Sequence, residues 1–148
     1  MTAAYRAWRF VNSVQTFGGD AEPTETLSGL SISPRGTVDM IEGNEAVRQA
    51  LLLLIATVPG ERVMRPEYGC DLHRLVFSPN DDTTAGLAMH YVRRAIERWE
   101  PRAEILRLDA RANPDVSEWL DITLDYRVRE TQQLQSLRFS YDLAGADR

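Results

Sequence analysis

The sequence predicts an α+β fold: two main helices packed on one face of a small, mostly antiparallel sheet that ends in a C-terminal three-strand meander. Three observations predict it. Apolar residues recur at helical spacing in two stretches, around Val47–Val58 and Leu87–Trp99. Strict alternation of apolar and polar residues then fills most of 106–143, which calls for a sheet with one wet and one buried face. Two helices covering one face of such a sheet is the simplest layered solution.

Taken in order, Ala4 to Val11 (AYRAWRFV) interleaves aromatic, Arg and small residues and predicts a short strand. Thr16 to Ser33 carries Gly18, Gly19, Pro23 and Gly29 among Ser and Thr, which buries little and predicts a long loop or flexible crossing. Residues 1–35 therefore form an N-terminal strand and arm, and 36–148 the main domain. Thr37 to Ile41 is a short strand candidate ending at the Glu42-Gly43-Asn44 turn. Asn44 is placed to cap a helix, with Glu45 in its first turn. Val47, Ala50, Leu51, Leu54, Ile55 and Val58 follow at helical spacing, and Leu52 and Leu53 add apolar surface, so this helix is expected to be buried nearly all round. Pro59-Gly60 ends it in the central positions of a type II turn. A loop from Glu61 to Pro79 holds three apolar anchors, Leu72, Leu75 and Phe77.

The second helix opens at Asn80-Asp81-Asp82-Thr83, which offers several capping oxygens. Leu87, Tyr91, Val92, Ala95, Ile96 and Trp99 form its apolar stripe, and His90, Arg93, Arg94, Glu97 and Arg98 its polar side. Pro101 stops it. Leu106, Leu108 and Ala110 then alternate with Arg107, Asp109 and Arg111. After an Asn113-Pro114-Asp115 turn, Leu120, Ile122, Leu124, Tyr126 and Val128 alternate with polar residues. Leu137, Phe139, Tyr141 and Leu143 do the same in the last strand.

Composition narrows function. The chain has 148 residues and a net charge of −5, and all 17 basic residues are Arg. Arg favours planar, bidentate interface pairing, though a GC-rich coding bias explains the absence of Lys more simply. An acidic chain without a dense Arg run is a poor nucleic-acid binder. The longest apolar run, Ala50 to Ala56, is too short for membrane insertion. The N-terminus lacks the apolar core of a signal peptide, and the lone Cys70 suits synthesis in the cytoplasm. His73, His90 and Cys70 match no zinc-ligand spacing, there is no phosphate loop, and no cofactor is expected. A glycosidase would need two facing carboxylates, one with a raised pKa. Glu61, Glu67, Asp71 and Glu100 are the candidates, but each has Arg neighbours that would lower it and make ion-paired loops instead. The chain reads as no enzyme.

Two loops remain unexplained by folding alone. Val58 to Gly69 is long and rich in Arg, Glu and Pro. Trp99-Glu100-Pro101-Arg102 is either helix termination with a solvated ion pair or a rigid charged knob for another chain, since Arg and aromatic residues anchor such contacts. In their order, Thr57-Val58-Pro59-Gly60-Glu61-Arg62, Arg65-Pro66-Glu67-Tyr68-Gly69, Phe77-Ser78-Pro79 and Trp99-Glu100-Pro101-Arg102, the chain resembles the baseplate wedge proteins of contractile phage tails, often labelled lysozyme-like, and their relatives in type VI secretion and extracellular contractile injection systems. The resemblance covers about Gly36 to Leu143. It implies a structural sheath initiator, six copies per baseplate, with sheath protein, wedge proteins and central spike and tube proteins as partners. It implies wedge binding by Glu100, Pro101 and Arg102, with Trp99 beside them. It also carries over the loop of Pro59, Gly60, Glu61, Arg62, Arg65, Pro66, Tyr68 and Gly69. A terminal meander leaves an edge strand, a template for another chain's strand. Leu137, Arg138, Phe139, Ser140, Tyr141 and Asp142 are therefore the candidates for pairing with sheath, unless the N-terminal arm covers that edge.

Overall fold

The computed structural model describes residues 6–8, 10–11, 29–30, 34–37 and 40–145. Two short antiparallel pairs open the chain, β1 (Arg6–Trp8) with β4 (Met40–Glu42) and β2 (Phe10–Val11) with β3 (Gly29–Leu30). The strand predicted over Ala4 to Val11 is thus shared between two partners. Gly29–Leu30 is paired where the sequence predicts a loop, and the remainder of that crossing lies outside the described residues. β4 begins at Met40, opposite Trp8, so Thr37 falls in the turn before it.

α1 (Asn44–Ala56) starts from Gly43, whose φ of 60° makes the bend. Gly43, and not Asn44, occupies the cap position. The Asn44 side chain instead donates to Gln133 and accepts from Thr131 Oγ1 at 2.9 Å, tying the helix start to the turn between the last two strands. Ala46, Val47, Leu51, Leu54 and Ile55 are buried, but Leu52 and Leu53 are half-buried and Ala56 is exposed. The helix is therefore one-sided, because a single helical layer gives it one face to cover.

The type II turn forms as the sequence dictates: Gly60 takes φ 101° and Glu61 N donates to Val58 O at 3.1 Å. A 3-10 helix, Asp71–Leu75, then buries Leu72 and Leu75. Phe77 is no anchor. Its backbone sits at φ 68°, its N–H reaches Leu143 O at 2.7 Å, and its ring is 85% exposed.

α2 (Asp82–Trp99) is capped by Asp81, which accepts from Thr84 N at 2.9 Å. Its buried stripe is Thr84, Ala85, Ala88, Val92, Ala95 and Ile96. Small residues let it lie close against the sheet, and Leu87, predicted in the stripe, falls at its margin and is exposed.

The sheet runs β5 (Ala103–Ala112), β6 (Trp119–Val128), β7 (Leu134–Asp142) in that order, antiparallel throughout. Asn113 shapes the first connection, its Oδ1 accepting from the backbone N–H of Asp115 and Val116. β6 is the centre: Leu120, Ile122, Leu124, Tyr126 and Val128 are all buried against the helices, with Leu137, Phe139 and Leu143 beside them. In β5 the register shifts between Ile105 and Arg107, a β-bulge that turns Leu106 outward instead of inward as its alternation predicts. Burial pushes the Tyr126 hydroxyl up to about 12.

Candidate functional site

The Thr57–Cys70 loop is closed by its own backbone. Cys70 N donates to Thr57 O at 2.9 Å, and Gly60 N to Pro66 O at 2.7 Å. Where these limbs meet, Gly69 takes φ 141°, and a Cβ there would lie 2.6 Å from Thr57 O and 2.8 Å from Pro59 N. Glu61, though exposed, folds back over the turn and accepts from Val58 N at 3.2 Å. Tyr68 N donates to Arg65 O at 3.1 Å. Pro59, Gly60, Glu61, Pro66 and Gly69 thus shape the loop.

Tyr68 joins this loop to the corner after α2. Its half-buried ring meets Trp99 edge-on at 5.5 Å and 61°. The Arg62 guanidinium lies 4.2 Å above the Tyr68 ring, and that of Arg98 4.8 Å above Trp99. The result is a ladder, Arg62–Tyr68–Trp99–Arg98, that merges the two predicted loops into one surface of aromatic and cationic side chains. Burial raises the Tyr68 hydroxyl pKa, with Arg62 opposing it.

At the corner itself Glu100 is only 5% exposed. Arg102 grips it as a fork, Nε to Oε1 at 2.5 Å and Nη2 to Oε2 at 2.8 Å. Arg129 fastens the same corner, its N donating to Arg102 O and its Nε to Pro101 O, both at 2.9 Å. Of the predicted site residues here, Pro101 is exposed, Trp99 and Arg102 are half-buried, and Glu100 faces inward. The helix does end here, with Glu100 N donating to Ile96 O at 2.8 Å, but the pair is mostly enclosed and not solvated, and the same enclosure keeps Glu100 off the outer face of a charged knob. Among the described residues, Glu61 and Glu67 make no ion pair with their Arg neighbours; Arg62 stacks on Tyr68 instead.

The sheet has two outer strands. Val128 N donates to Gln133 O and Leu143 N to Glu118 O. By antiparallel alternation the backbone groups of the odd residues 133–143 then face β6, and those of Leu134, Ser136, Arg138, Ser140 and Asp142 face away. Among the described residues no other strand pairs with that side of β7, which carries neither bulge nor proline. β5 is interrupted by its bulge.

The chemistry candidates scatter. Cys70 is buried, and burial pushes its thiol up to about 11. His73 sits in the 3-10 helix and His90 on the exposed side of α2 beside Tyr91. Asp71 faces Arg74 at 3.6 Å. No metal-holding group of His, Cys, Asp and Glu exists among the described residues, and no helix among them is long and apolar enough to cross a membrane. Two surface residues escaped the sequence reasoning: Val63 and Met64, at the loop tip, are 94% and 90% exposed. An apolar pair bracketed by Arg62 and Arg65 in a turn was the available signal.

Comparison with known proteins agrees with this architecture. A baseplate wedge protein gp25 of Enterobacteria phage T4 is 31% identical over 67 residues, 45% of this chain and 51% of its own length. The chain thus matches about half the length of that relative. A solved Geobacter sulfurreducens protein that carries the provisional name tail lysozyme is 36% identical, with a TM-score of 0.63 over 69% of this chain and 92% of its own. A chain of the anti-feeding prophage baseplate, solved with six-fold symmetrisation, is 28% identical, with a TM-score of 0.55 over 78% of this chain and 81% of its own. The family described as baseplate wedge protein gp25 matches residues 41–133, well over half the sequence. The chain belongs to that family, the structural baseplate subunits of contractile injection systems.

Proposed function

We propose that this subunit joins the wedge and spike proteins to the first sheath ring and initiates sheath assembly, six copies to a baseplate, after synthesis in the cytoplasm. The wedge side is the ladder surface with Trp99, Pro101 and the outer edge of Arg102. Glu100 acts by holding Arg102 rather than by touching the partner. The sheath side is β7, and the observation that carries this assignment is the contrast between the two outer strands. A bulge and a neighbouring row of charged side chains are how an edge is kept from pairing. β5 has both, whereas β7 is regular along Leu134–Asp142.

The test uses the outward-facing backbone. Arg138→Pro removes an N–H that points away from β6, so the existing ladder keeps its bonds. Particles carrying it are expected to form baseplates without sheath, while the purified variant keeps its cooperative melting. Normal sheath on such particles would sink the β7 assignment.

The rival reading, a peptidoglycan hydrolase, is favoured by the name of the Geobacter relative. Against it, Glu100 is held by Arg102, Glu61 accepts from Val58 N, and Asp71 faces Arg74, so each of these carboxylates is engaged with its own loop or corner and no facing pair of them is formed. Muramidase activity of the purified chain would overturn this view.

A further inference from the structure

The motif residues of the Thr57–Cys70 loop build the loop; they do not form its outermost surface. Val63 and Met64 do. They occupy the centre of a turn closed by Arg65 N donating to Arg62 O at 3.3 Å, and are 94% and 90% exposed. Central turn positions ordinarily carry Gly, Asn, Asp, Ser or Pro. A Val-Met pair there gains nothing in the free chain and becomes favourable only when covered. The turn stands on a stiff base, the Gly60–Pro66 and Thr57–Cys70 hydrogen bonds and the Gly69 contact. Little backbone entropy is therefore left to lose on docking.

We propose that Val63 and Met64 are an anchor that enters an apolar socket on a wedge subunit, with carboxylates on the socket's rim. This rests on the assembly role proposed above and names the contact residues of its wedge side. Three observations choose that occupant. Exposed Arg62 and Arg65 directly bracket the pair, while the loop's carboxylates, Glu61 and Glu67, flank it further out and Glu61 accepts from Val58 N, so the charge immediately beside the tip is cationic and seeks an acidic rim. The tip is continuous through Tyr68 and Trp99 with the corner at Pro101. The flexible thioether of Met64 adapts to an irregular apolar socket. A second copy meeting this one tip to tip would set like charges against each other.

The experiment places the photo-reactive residue benzoylphenylalanine at position 64 in assembled particles. A cross-link to a wedge subunit is expected. A cross-link to sheath, to another copy of this chain or to lipid overturns the proposal, as does none at all. In parallel, Val63→Ser with Met64→Ser is co-expressed with the wedge subunits of the same particle. Binding is expected to weaken at least about tenfold, the scale of losing an anchored interface side chain, with an unchanged melting temperature and Cys70 still protected from alkylation. Met64→Lys, a single exposed change, gives an independent reading of the same loss. Undiminished binding by these variants removes the anchor alone. Failure of the unmutated chain to bind wedge subunits removes the assembly role first.

Discussion

At Gly69 a single hydrogen in place of a side chain decides the shape of a whole loop. Its φ of 141° is unfavourable for any L side chain, and the space its Cβ would need is filled by Thr57 O and Pro59 N. Both obstacles are backbone, so nothing flexible can move aside. Gly69→Ala is expected to destabilise the domain by about 1–3 kcal/mol and to open the Thr57–Cys70 closure. Cys70 reports on this directly. Its thiol is buried and, with a pKa of about 11, protonated at neutral pH, so the native chain is expected to resist iodoacetamide at pH 8. In Gly69→Ala labelling should accelerate about tenfold or more, measured by mass spectrometry. Equal rates in parent and variant would mean that the loop accommodates the methyl group without opening.

Among the elements, β6 was fully legible in the sequence because both its neighbours are strands and helices cover one whole face. Every second residue from Leu120 to Val128 is buried as the alternation requires. The Asp81 cap and the Pro59-Gly60 turn were legible too, since each depends on local hydrogen bonds. What failed depended on distant partners. Leu106 points out because of a bulge set by pairing with β6; Phe77 points out because Leu143 draws its backbone; Asn44 is pulled from its cap by Thr131 and Gln133. The site followed the same division. Its two loops could be located, but the Tyr68–Trp99 contact that unites them lies between residues far apart in sequence. Two carboxylates at element boundaries also make the fold sensitive to acid. The Thr84 N–H holds Asp81 below the usual carboxylate range, and the Arg127 hydrogen bond does so for Glu104 across β5 and β6. A lowered folded pKa contributes stability that is complete above the unfolded values, about 3.9 for Asp and 4.3 for Glu, and is lost as pH falls through the folded ones. The melting temperature is therefore expected to fall between about pH 5 and pH 2, and to fall less in Asp81→Asn with Glu104→Gln. A double variant with the parent's full acid sensitivity would place the titrating groups elsewhere.

In the molecule as a whole the two proposed contact regions belong to the two outer strands of one sheet. The Trp99–Arg102 corner leads into β5, the outward edge of β7 is two strand spacings away, about 10 Å, and β6 stands rigidly between them. A bridge of this kind needs no moving part, so the corner must serve as both joint and contact. Arg102 embodies that double duty. Its fork closes on a nearly buried Glu100, so Arg102→Ala strands a carboxylate inside the fold. Removing one partner of a buried pair costs about 3 kcal/mol, a drop of roughly 10 °C in melting temperature for a domain of this size. Loss of wedge binding by that variant alone would then report on stability as much as on contact. Replacing both partners, Glu100→Gln with Arg102→Met, leaves no unpaired charge and is expected to recover most of the lost stability, read by calorimetry. If Arg102 also touches the wedge, the recovered double variant should still bind wedge subunits poorly while its β7 edge nucleates sheath normally. A double variant that is stable and binds wedge subunits fully would make the Glu100–Arg102 fork purely a joint, leaving the wedge contact to Trp99, Pro101 and the loop tip. An Arg102→Ala chain that melts with its parent would show instead that water reaches Glu100 without cost.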